Sequence, residues 1–202
     1  MVNAKKICFP LSGNETADLN VGDTVFISGK LVTARDKAHQ FLFNERPGIK
    51  DLPFDLKGSL IYHCGPIVKK IGSEYRIVAC GPTTSARVDM YEWWVMQEYG
   101  ISAIMGKGGM GGRTLEALAK CGGVYLHTIG GAAAFLAEKV TGVIDVFKLE
   151  EFGIPEAMWL MEVEDFPAIV TMDSHGKSLH EAVRKESEKA YLRLIGLPGQ
   201  MT

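Results

Sequence analysis

Residues 101–128 read ISAIMGKGGMGGRTLEALAKCGGVYLHT and contain the clearest alternation of secondary-structure patterns in the chain. Apolar runs at 101–105 and 124–128 predict two strands. Between them, a glycine-rich turn leads into a helical pattern at 113–120. A strand–helix–strand unit of this kind predicts two parallel strands joined by a crossover helix.

The flanking segments extend this alternation in both directions. Further strands are predicted at 5–9, 23–28, 59–63, 75–79, 143–146, 159–163 and 168–172. Further helices are predicted at 34–42, at 84–99, from Gly131 to about residue 138, and from Ser178 onward. Gly29 and Lys30 predict a turn, and Pro167, between the last two strands, predicts a sheet edge or a turn. The last helix has one apolar face, formed by Leu179, Ala182, Val183, Ala190, Tyr191 and Leu194.

The β-rich start and the late strand pair do not suit a purely parallel, doubly wound sheet. We therefore expect a three-layer α/β fold, β/β/α, with a central parallel sheet and a smaller antiparallel sheet. A chain of 202 residues suits one domain spanning residues 1–202.

Composition excludes several functional classes. The net charge of −2 gives no broad electrostatic case for binding nucleic acid or an anionic membrane. No run approaches about 18 uncharged apolar residues, and Pro10 and Glu15 interrupt the apolar stretch behind Lys5 and Lys6, so a cytoplasmic protein is expected. The cysteines are widely spaced and include no Cys-x-x-Cys pair, which predicts free thiols and no metal site made by this chain alone: Cys8, Cys64, Cys80 and Cys121.

Three segments share one design, in which a strand end and small residues lead into a helix start beside a cation. They are TARDKAH at 33–39, CGPTTSAR at 80–87 and GKGGMGGRT at 106–114. Helix N-termini attract anions, and sites of this type gather at the carboxyl ends of parallel strands. If the three turns meet there, Arg35, Arg87 and Lys107 form a pocket for a small molecule with more than one negative charge.

Structural explanations compete with this interpretation. Thr33, which forms a capping-box pattern with Asp36, and Thr83 or Thr84 could each be an ordinary helix cap. The arginines could be solvated, and the glycines could serve backbone geometry alone. The third segment also has the glycine spacing of a phosphate-binding P-loop, but Gly112 stands where that motif needs lysine.

These three motifs, in this order, resemble the C-terminal region of class I, iron–sulfur fumarate hydratases. In some organisms that region is a separate beta subunit, and the L-tartrate dehydratase beta subunit is similar. The resemblance covers roughly residues 5–195. It implies a "swivelling" β/β/α domain and the reversible hydration of fumarate to (S)-malate. L-tartrate dehydratase and a non-catalytic dicarboxylate-binding module remain alternatives.

The resemblance also implies roles for residues and a partner. Arg35, Arg87 and Lys107 bind the substrate carboxylates, and Thr83 is the candidate base that takes the C3 proton of malate. Secondary candidates are His39, Thr84, Ser85, Gly106 and Gly108. A [4Fe–4S] cluster is held by three cysteines of an alpha subunit and none is bound by this chain. The assembly is a hetero-oligomer, for which α2β2 is one arrangement, and the isolated chain could form a homodimer.

Overall fold

The structure is a computed structural model that describes residues 4–13 and 15–195. The described residues form nine strands: β1 (Lys5–Phe9), β2 (Thr24–Thr33), β3 (Leu60–Tyr62), β4 (Ile67–Ile71), β5 (Glu74–Ala79), β6 (Ala103–Gly106), β7 (Val124–His127), β8 (Val140–Phe147) and β9 (Met158–Met172). They also form six α-helices: α1 (Asp36–Glu45), α2 (Asp89–Tyr99), α3 (Gly112–Cys121), α4 (Ala133–Ala137), α5 (Leu149–Phe152) and α6 (Leu179–Leu194). Single 3-10 turns lie at Glu15–Asp18, Ile49–Asp51 and Ser85–Arg87.

The central sheet has the order β1-β2-β3-β6-β7-β9-β8, and its first five strands run parallel. β9 is antiparallel to β7 and β8 and also pairs with β2, so that β2, β3, β6, β7 and β9 form a closed ring. β4 and β5 form a separate antiparallel hairpin. The predicted α/β fold, with a central parallel sheet and a smaller antiparallel sheet, is confirmed.

Alternating side chains on the parallel strands fill two cores. On β3, Leu60 and Tyr62 face a core shared with β9 and the hairpin, which includes Trp159 and Phe166. Ile61 faces the other core, under α1, α2 and α3. This period-two pattern makes both faces of the parallel strands apolar, as expected for strands covered on both sides.

Two predicted breaks in the strands are wrong. β2 continues through Gly29 and Lys30 by way of a bulge, and a side chain at Gly29 would collide with the Phe9 carbonyl of β1. β9 likewise continues through Pro167. The Pro167 carbonyl accepts a hydrogen bond from Thr128. In a strand the N and the C=O of one residue point to the same side, so the proline nitrogen, which has no hydrogen, also faces Thr128. This part of β9 lies between the residues that pair with β8 and those that pair with β7. Proline is tolerated there because no ladder hydrogen bond needs its N–H.

Helix boundaries also differ from the predictions. Thr33 ends β2 and does not cap α1, whose N-cap is Arg35. The predicted helix at 84–99 begins as the 3-10 turn Ser85–Arg87 and becomes α2 only at Asp89.

The apolar face of α6 is not covered by the described part of the chain. Leu179, Val183, Tyr191 and Leu194 are all exposed. Among the helices of residues 4–13 and 15–195, none combines the length and apolar character needed to cross a membrane.

Candidate active site

The three cationic segments meet at the carboxyl edge of the parallel strands. Arg35 follows β2, and Lys107 follows β6. The segment after β5 crosses this edge, because Pro82 bridges to Cys64 beyond β3 and Thr84 bridges to Lys107. Two short bridges therefore bring residues from separate parts of the sequence into one surface.

Backbone hydrogen bonds hold Thr83 beside Lys107. The Thr83 N–H donates to the His63 carbonyl at 2.7 Å, and the Lys107 N–H donates to the Thr83 carbonyl at 3.3 Å. The Ser85 N–H donates in turn to the Lys107 carbonyl at 2.9 Å. Thr84, although it is the N-cap of the 3-10 turn, makes no side-chain cap, so its interpretation as a helix cap is wrong. Within residues 4–13 and 15–195 no partner hydrogen-bonds the Thr83 hydroxyl, which leaves that oxygen available for chemistry.

Two arginines share one carboxylate on the other side of this surface. Arg87 Nη2 lies 2.8 Å from Asp36 Oδ2, and Arg35 Nη2 lies 3.7 Å from the same oxygen. Arg35 Nε is also 3.2 Å from Glu156 Oε1. A side chain at Gly65 would collide with the Arg35 guanidinium, so glycine there makes room for this arginine. Arg35 is 20% exposed and Arg87 is 52% exposed, so both can reach a ligand.

Lys107 is held differently from the arginines. Its side chain is half-buried and runs past Gly130, where an added Cβ would lie 3.6 Å from Lys107 Cδ. In the described ranges 4–13 and 15–195, no carboxylate lies within ion-pair distance of its ammonium group. Its charge is therefore not cancelled by a neighbouring acid of this chain.

Acidic side chains of the protein already occupy two of the helix N-termini. Glu156 accepts a hydrogen bond from the Lys37 N–H at the start of α1. Asp89 accepts hydrogen bonds from the Gly111 N–H and the Thr114 hydroxyl at the start of α3, each at 2.8 Å. Since these carboxylates take the place of an external anion, the P-loop interpretation loses its phosphate site. The anion-binding capacity of the surface rests on its cationic side chains.

Below this surface lies a buried group of hydrogen-bonded side chains. Glu92 Oε2 lies 2.8 Å from both His39 Nε2 and His63 Nε2, and His63 Nδ1 lies 2.8 Å from Ser85 Oγ. Tyr125 OH lies 2.8 Å from Ser85 Oγ. The five side chains are at most 1% exposed. We call this group, His39, Glu92, His63, Ser85 and Tyr125, the buried network.

The two histidines of the buried network have pKa values shifted in opposite directions. Burial opposes the charged form of both, but the charge of Glu92 and its hydrogen bond raise the pKa of His39 above the ordinary value. For His63, burial prevails and lowers the pKa. Burial alone would raise the pKa of Glu92, but its histidine partners hold that pKa at about 2. The two histidines that share Glu92 therefore lie in different electrostatic settings.

Sequence reasoning did not select Glu92, His63 or Tyr125 for the site. The available signal was the position of Glu92 among Val88, Val95, Met96 and Tyr99, the residues that form the buried face of α2. A carboxylate on an apolar helix face requires a buried partner.

The four cysteines do not provide ligands for an iron–sulfur cluster. Within residues 4–13 and 15–195, one group of three side chains is close enough to hold a metal ion, and it consists of His39, His63 and Glu92. Cys64 and Cys80 are buried, and burial raises the pKa of Cys80 to about 12 and that of Cys64 well above its usual range. Because a cluster needs three or four thiolates, the described residues, which include all four cysteines, do not fit one.

Comparison with known proteins gives a consistent picture. Residues 2–183 match the family described as Fumarase C-terminus. A protein provisionally named fumarate hydratase class I, from Geobacillus stearothermophilus, is 49% identical over 179 residues, which are 88% of this chain and 34% of that protein. A protein provisionally named L(+)-tartrate dehydratase subunit beta, from Methanocaldococcus jannaschii, is 46% identical over 93% of this chain and 96% of its own length.

A third relative is the L(+)-tartrate dehydratase subunit beta of Escherichia coli K12, which is 37% identical over 87% of this chain and 86% of its own length. This chain thus spans about a third of the length of the Geobacillus protein and most of the length of the other two. The family match covers all three cationic segments. The chain belongs to the Fumarase C-terminus family.

Proposed function

We propose that this chain is the beta subunit of a two-subunit class I fumarate hydratase, and that it acts in the reversible hydration of fumarate to (S)-malate. The observation that carries the proposal is the meeting of Arg35, Arg87, Thr83 and Lys107 at one edge of the sheet. Fumarate is a dianion, and several cations gathered around a threonine suit a substrate with a carboxylate at each end.

In the dehydration direction, a base removes the C3 proton of malate while the C2 hydroxyl leaves with a proton from an acid, and the C2–C3 double bond forms. We assign the base to Thr83, whose hydroxyl has no hydrogen-bond partner among the described residues. Proton removal beside a carboxylate builds negative charge, which the neighbouring cations offset. A threonine hydroxyl needs a strongly positive setting to act as a base, and Lys107 contributes to that setting.

We assign the acid and a [4Fe–4S] cluster to a partner alpha subunit. The cluster would supply a Lewis-acidic iron for the leaving hydroxyl. The lack of a suitable set of thiols in this chain supports this division, as do the names of the relatives that are called subunit beta. The uncovered apolar face of α6 is the kind of exposed surface that protein contacts cover.

The second candidate function is L-tartrate dehydration by the same kind of complex. It is favoured by the two relatives that are named for tartrate and that match along most of their length. The chemistry again removes a proton and a hydroxyl from a dicarboxylate, so the same cations would serve.

The deciding experiment is anaerobic purification of the chain together with its partner, followed by assays of fumarate and L-tartrate on the same preparation. We expect fumarate hydration at the higher kcat/KM. A preference for tartrate would select the second candidate, and turnover of neither substrate would refute both.

Thr83→Ala tests the assigned base in the same complex. We expect kcat to fall by about a hundredfold or more, with smaller changes in KM and melting temperature. Exchange of the malate C3 hydrogen with solvent deuterium should fall in parallel. Normal exchange with lowered stability would mean that Thr83 has only a structural role.

A further inference from the structure

The buried network connects the three cationic segments through the interior. One end is the Arg35 carbonyl, 2.8 Å from His39 Nδ1. The other end is the Gly109 N–H, which donates to Tyr125 OH at 3.3 Å. Ser85, between them, belongs to the segment that carries Thr83. One buried group of side chains therefore contacts the first, second and third segments in turn.

The proton positions on Tyr125, Ser85 and His63 can be assigned by starting from the Gly109 N–H, which can only donate. Tyr125 OH accepts from the Gly109 N–H, and Ser85 Oγ is the other hydrogen-bond partner of this hydroxyl among the described residues, so we assign the phenol hydrogen to Ser85 Oγ. Ser85 Oγ therefore accepts from Tyr125 and donates to His63 Nδ1. That nitrogen must then be unprotonated, which leaves a neutral His63 with its proton on Nε2, facing Glu92.

The proton positions on His39 and Glu92 can be assigned by starting from the Arg35 carbonyl. A carbonyl only accepts, so His39 Nδ1 must carry a proton directed at the Arg35 oxygen. Glu92 Oε2 lies within hydrogen-bond distance of both His63 Nε2 and His39 Nε2, and an ionised carboxylate can only accept, so we assign a ring N–H to each of these nitrogens. His39 is therefore doubly protonated beside an ionised Glu92. The opposite pKa shifts of the two histidines agree with this assignment.

Glycine at position 106 keeps the network close to the site. A side chain there would collide with Ser85 Oγ and would lie 3.2 Å from His63 Nδ1. His63 contacts the segment at 80–87 through two hydrogen bonds. Its carbonyl accepts one from the Thr83 N–H, and its ring nitrogen Nδ1 accepts the other from Ser85 Oγ. A shift of the ring would therefore move Thr83.

We propose that the buried network positions the segment at 80–87, which carries Thr83. A charged His39–Glu92 pair and a neutral His63 fix the position of Ser85, and this holds Thr83 against Lys107. The inference rests on the proposed function for its kinetic consequences. Its structural claim, that hydrogen bonds run in one direction from Gly109 to Glu92, can be tested without any assay.

The first measurement is nuclear magnetic resonance of the full chain with nitrogen-15-labelled histidine, near neutral pH. We expect one buried histidine with both nitrogens protonated, and one with a proton on Nε2 only. Glu92→Gln should convert the first to a neutral ring, since its counter-ion is lost, and Ser85→Ala should mix the tautomers of the second. A neutral His39, a charged His63, or one equivalent of tightly bound zinc that Glu92→Gln abolishes would overturn the proposal.

The second measurement compares Tyr125→Phe with Tyr99→Phe in the complex with the partner. Both changes remove a phenol hydroxyl from a buried tyrosine, but Tyr99 donates to backbone carbonyls of residues 42 and 47, away from the network. Both variants should melt a few degrees lower. Tyr125→Phe should lower kcat by about tenfold with KM within about twofold, and Tyr99→Phe should leave both unchanged.

Equal kinetics in the two variants would overturn the proposal, because loss of stability alone would then account for both. A wild-type complex that turns over neither fumarate nor tartrate would refute the proposed function, and the resonance measurement would still decide the state of the buried network.

Discussion

The arginine side and the lysine side of the candidate site are built in different ways. Arg35 and Arg87 are tied to two carboxylates, Asp36 and Glu156, by side-chain ion pairs. Lys107 is held through its backbone, which pairs with the segment carrying Thr83, and no carboxylate in residues 4–13 and 15–195 is in ion-pair distance of it. One side is fixed by charge and the other by main-chain hydrogen bonds.

This difference indicates that one side of the site attracts the substrate and the other side orients it. On the arginine side, two formal positive charges meet two negative ones, so little net charge remains to attract a dianion. On the lysine side, the positive charge is uncompensated. We therefore expect Lys107 to provide most of the electrostatic stabilisation, and the planar guanidinium groups to fix how a carboxylate lies.

The largest effect should come from Lys107→Met, which keeps much of the side-chain length and removes the charge. We expect kcat/KM of the complex to fall on the order of a hundredfold or more, because the charge that develops in the transition state loses its stabilising partner. Lys120→Met, at an exposed position on α3, is the matched control and should be neutral. A loss below about tenfold for Lys107→Met would place the main attraction elsewhere.

A smaller loss is expected for Arg35→Lys and Arg87→Lys. Each change keeps the charge and loses the planar fork, which should cost roughly 2 kcal/mol, or about 30-fold in kcat/KM. Steady-state kinetics and thermal unfolding of each complex provide the measurement, with Arg76→Lys on the exposed hairpin as the control. Normal kinetics for both variants would remove the arginines from the site.

Asp36→Asn tests the difference between the two sides, because it removes the charge of the carboxylate that Arg35 and Arg87 share. With their shared carboxylate gone, we expect the chain to bind succinate, an unreactive dicarboxylate, roughly two- to fivefold more tightly at low salt. The complex should turn over more slowly, because the guanidinium groups lose their fixed positions. Isothermal titration of this variant and of the exposed control Glu162→Gln tests both statements. Weaker succinate binding by Asp36→Asn would mean that Asp36 organises the arginines more than it neutralises them.

Thr84→Ala should have the smallest effect. The Thr84 side chain is exposed and makes no helix cap, so stability should change by less than about 0.5 kcal/mol and kcat by less than about twofold. Circular dichroism melts and kinetics beside Thr83→Ala give the comparison. A large kinetic loss at Thr84 would transfer the role of base to that residue.

The meeting of Arg35 and Lys107 was predictable, because neighbouring parallel strands end at the same edge of a sheet. The segment at 80–87 follows the antiparallel hairpin and reaches that edge through its bridges to Cys64 and Lys107, which the alternation of strands and helices did not indicate. The alternation in residues 101–128 indicated β6 and β7, which pair in parallel. Which acids neutralise Arg35 was not predictable, since Glu156 lies far along the chain and reaches the site only after β9 has folded back onto β2.

Local patterns are poor guides where tertiary contacts decide. Pro167 indicates a sheet edge or a turn, but it pairs with Phe26 of β2 and lies, on its other side, between the stretches that pair with β8 and with β7, so β9 continues. The β4–β5 hairpin was missed in part, although Gly72-Ser73 is a common two-residue turn. The role of Glu92 depends on His39 and His63, which are 53 and 29 positions away, so no helix pattern alone could assign its partners.

The closure of the ring by β9 also has a consequence for how the protein acquires its shape during synthesis. All three cationic segments have been made by residue 114, but β9 ends at Met172, and it pairs with β2 from near the start of the chain, Thr24 opposite Ile169. Pairings this distant in sequence form slowly, since a long loop must close before any contact compensates for the lost entropy. A nascent chain therefore carries the candidate cations Arg35, Arg87 and Lys107 well before it has the surface on which they meet.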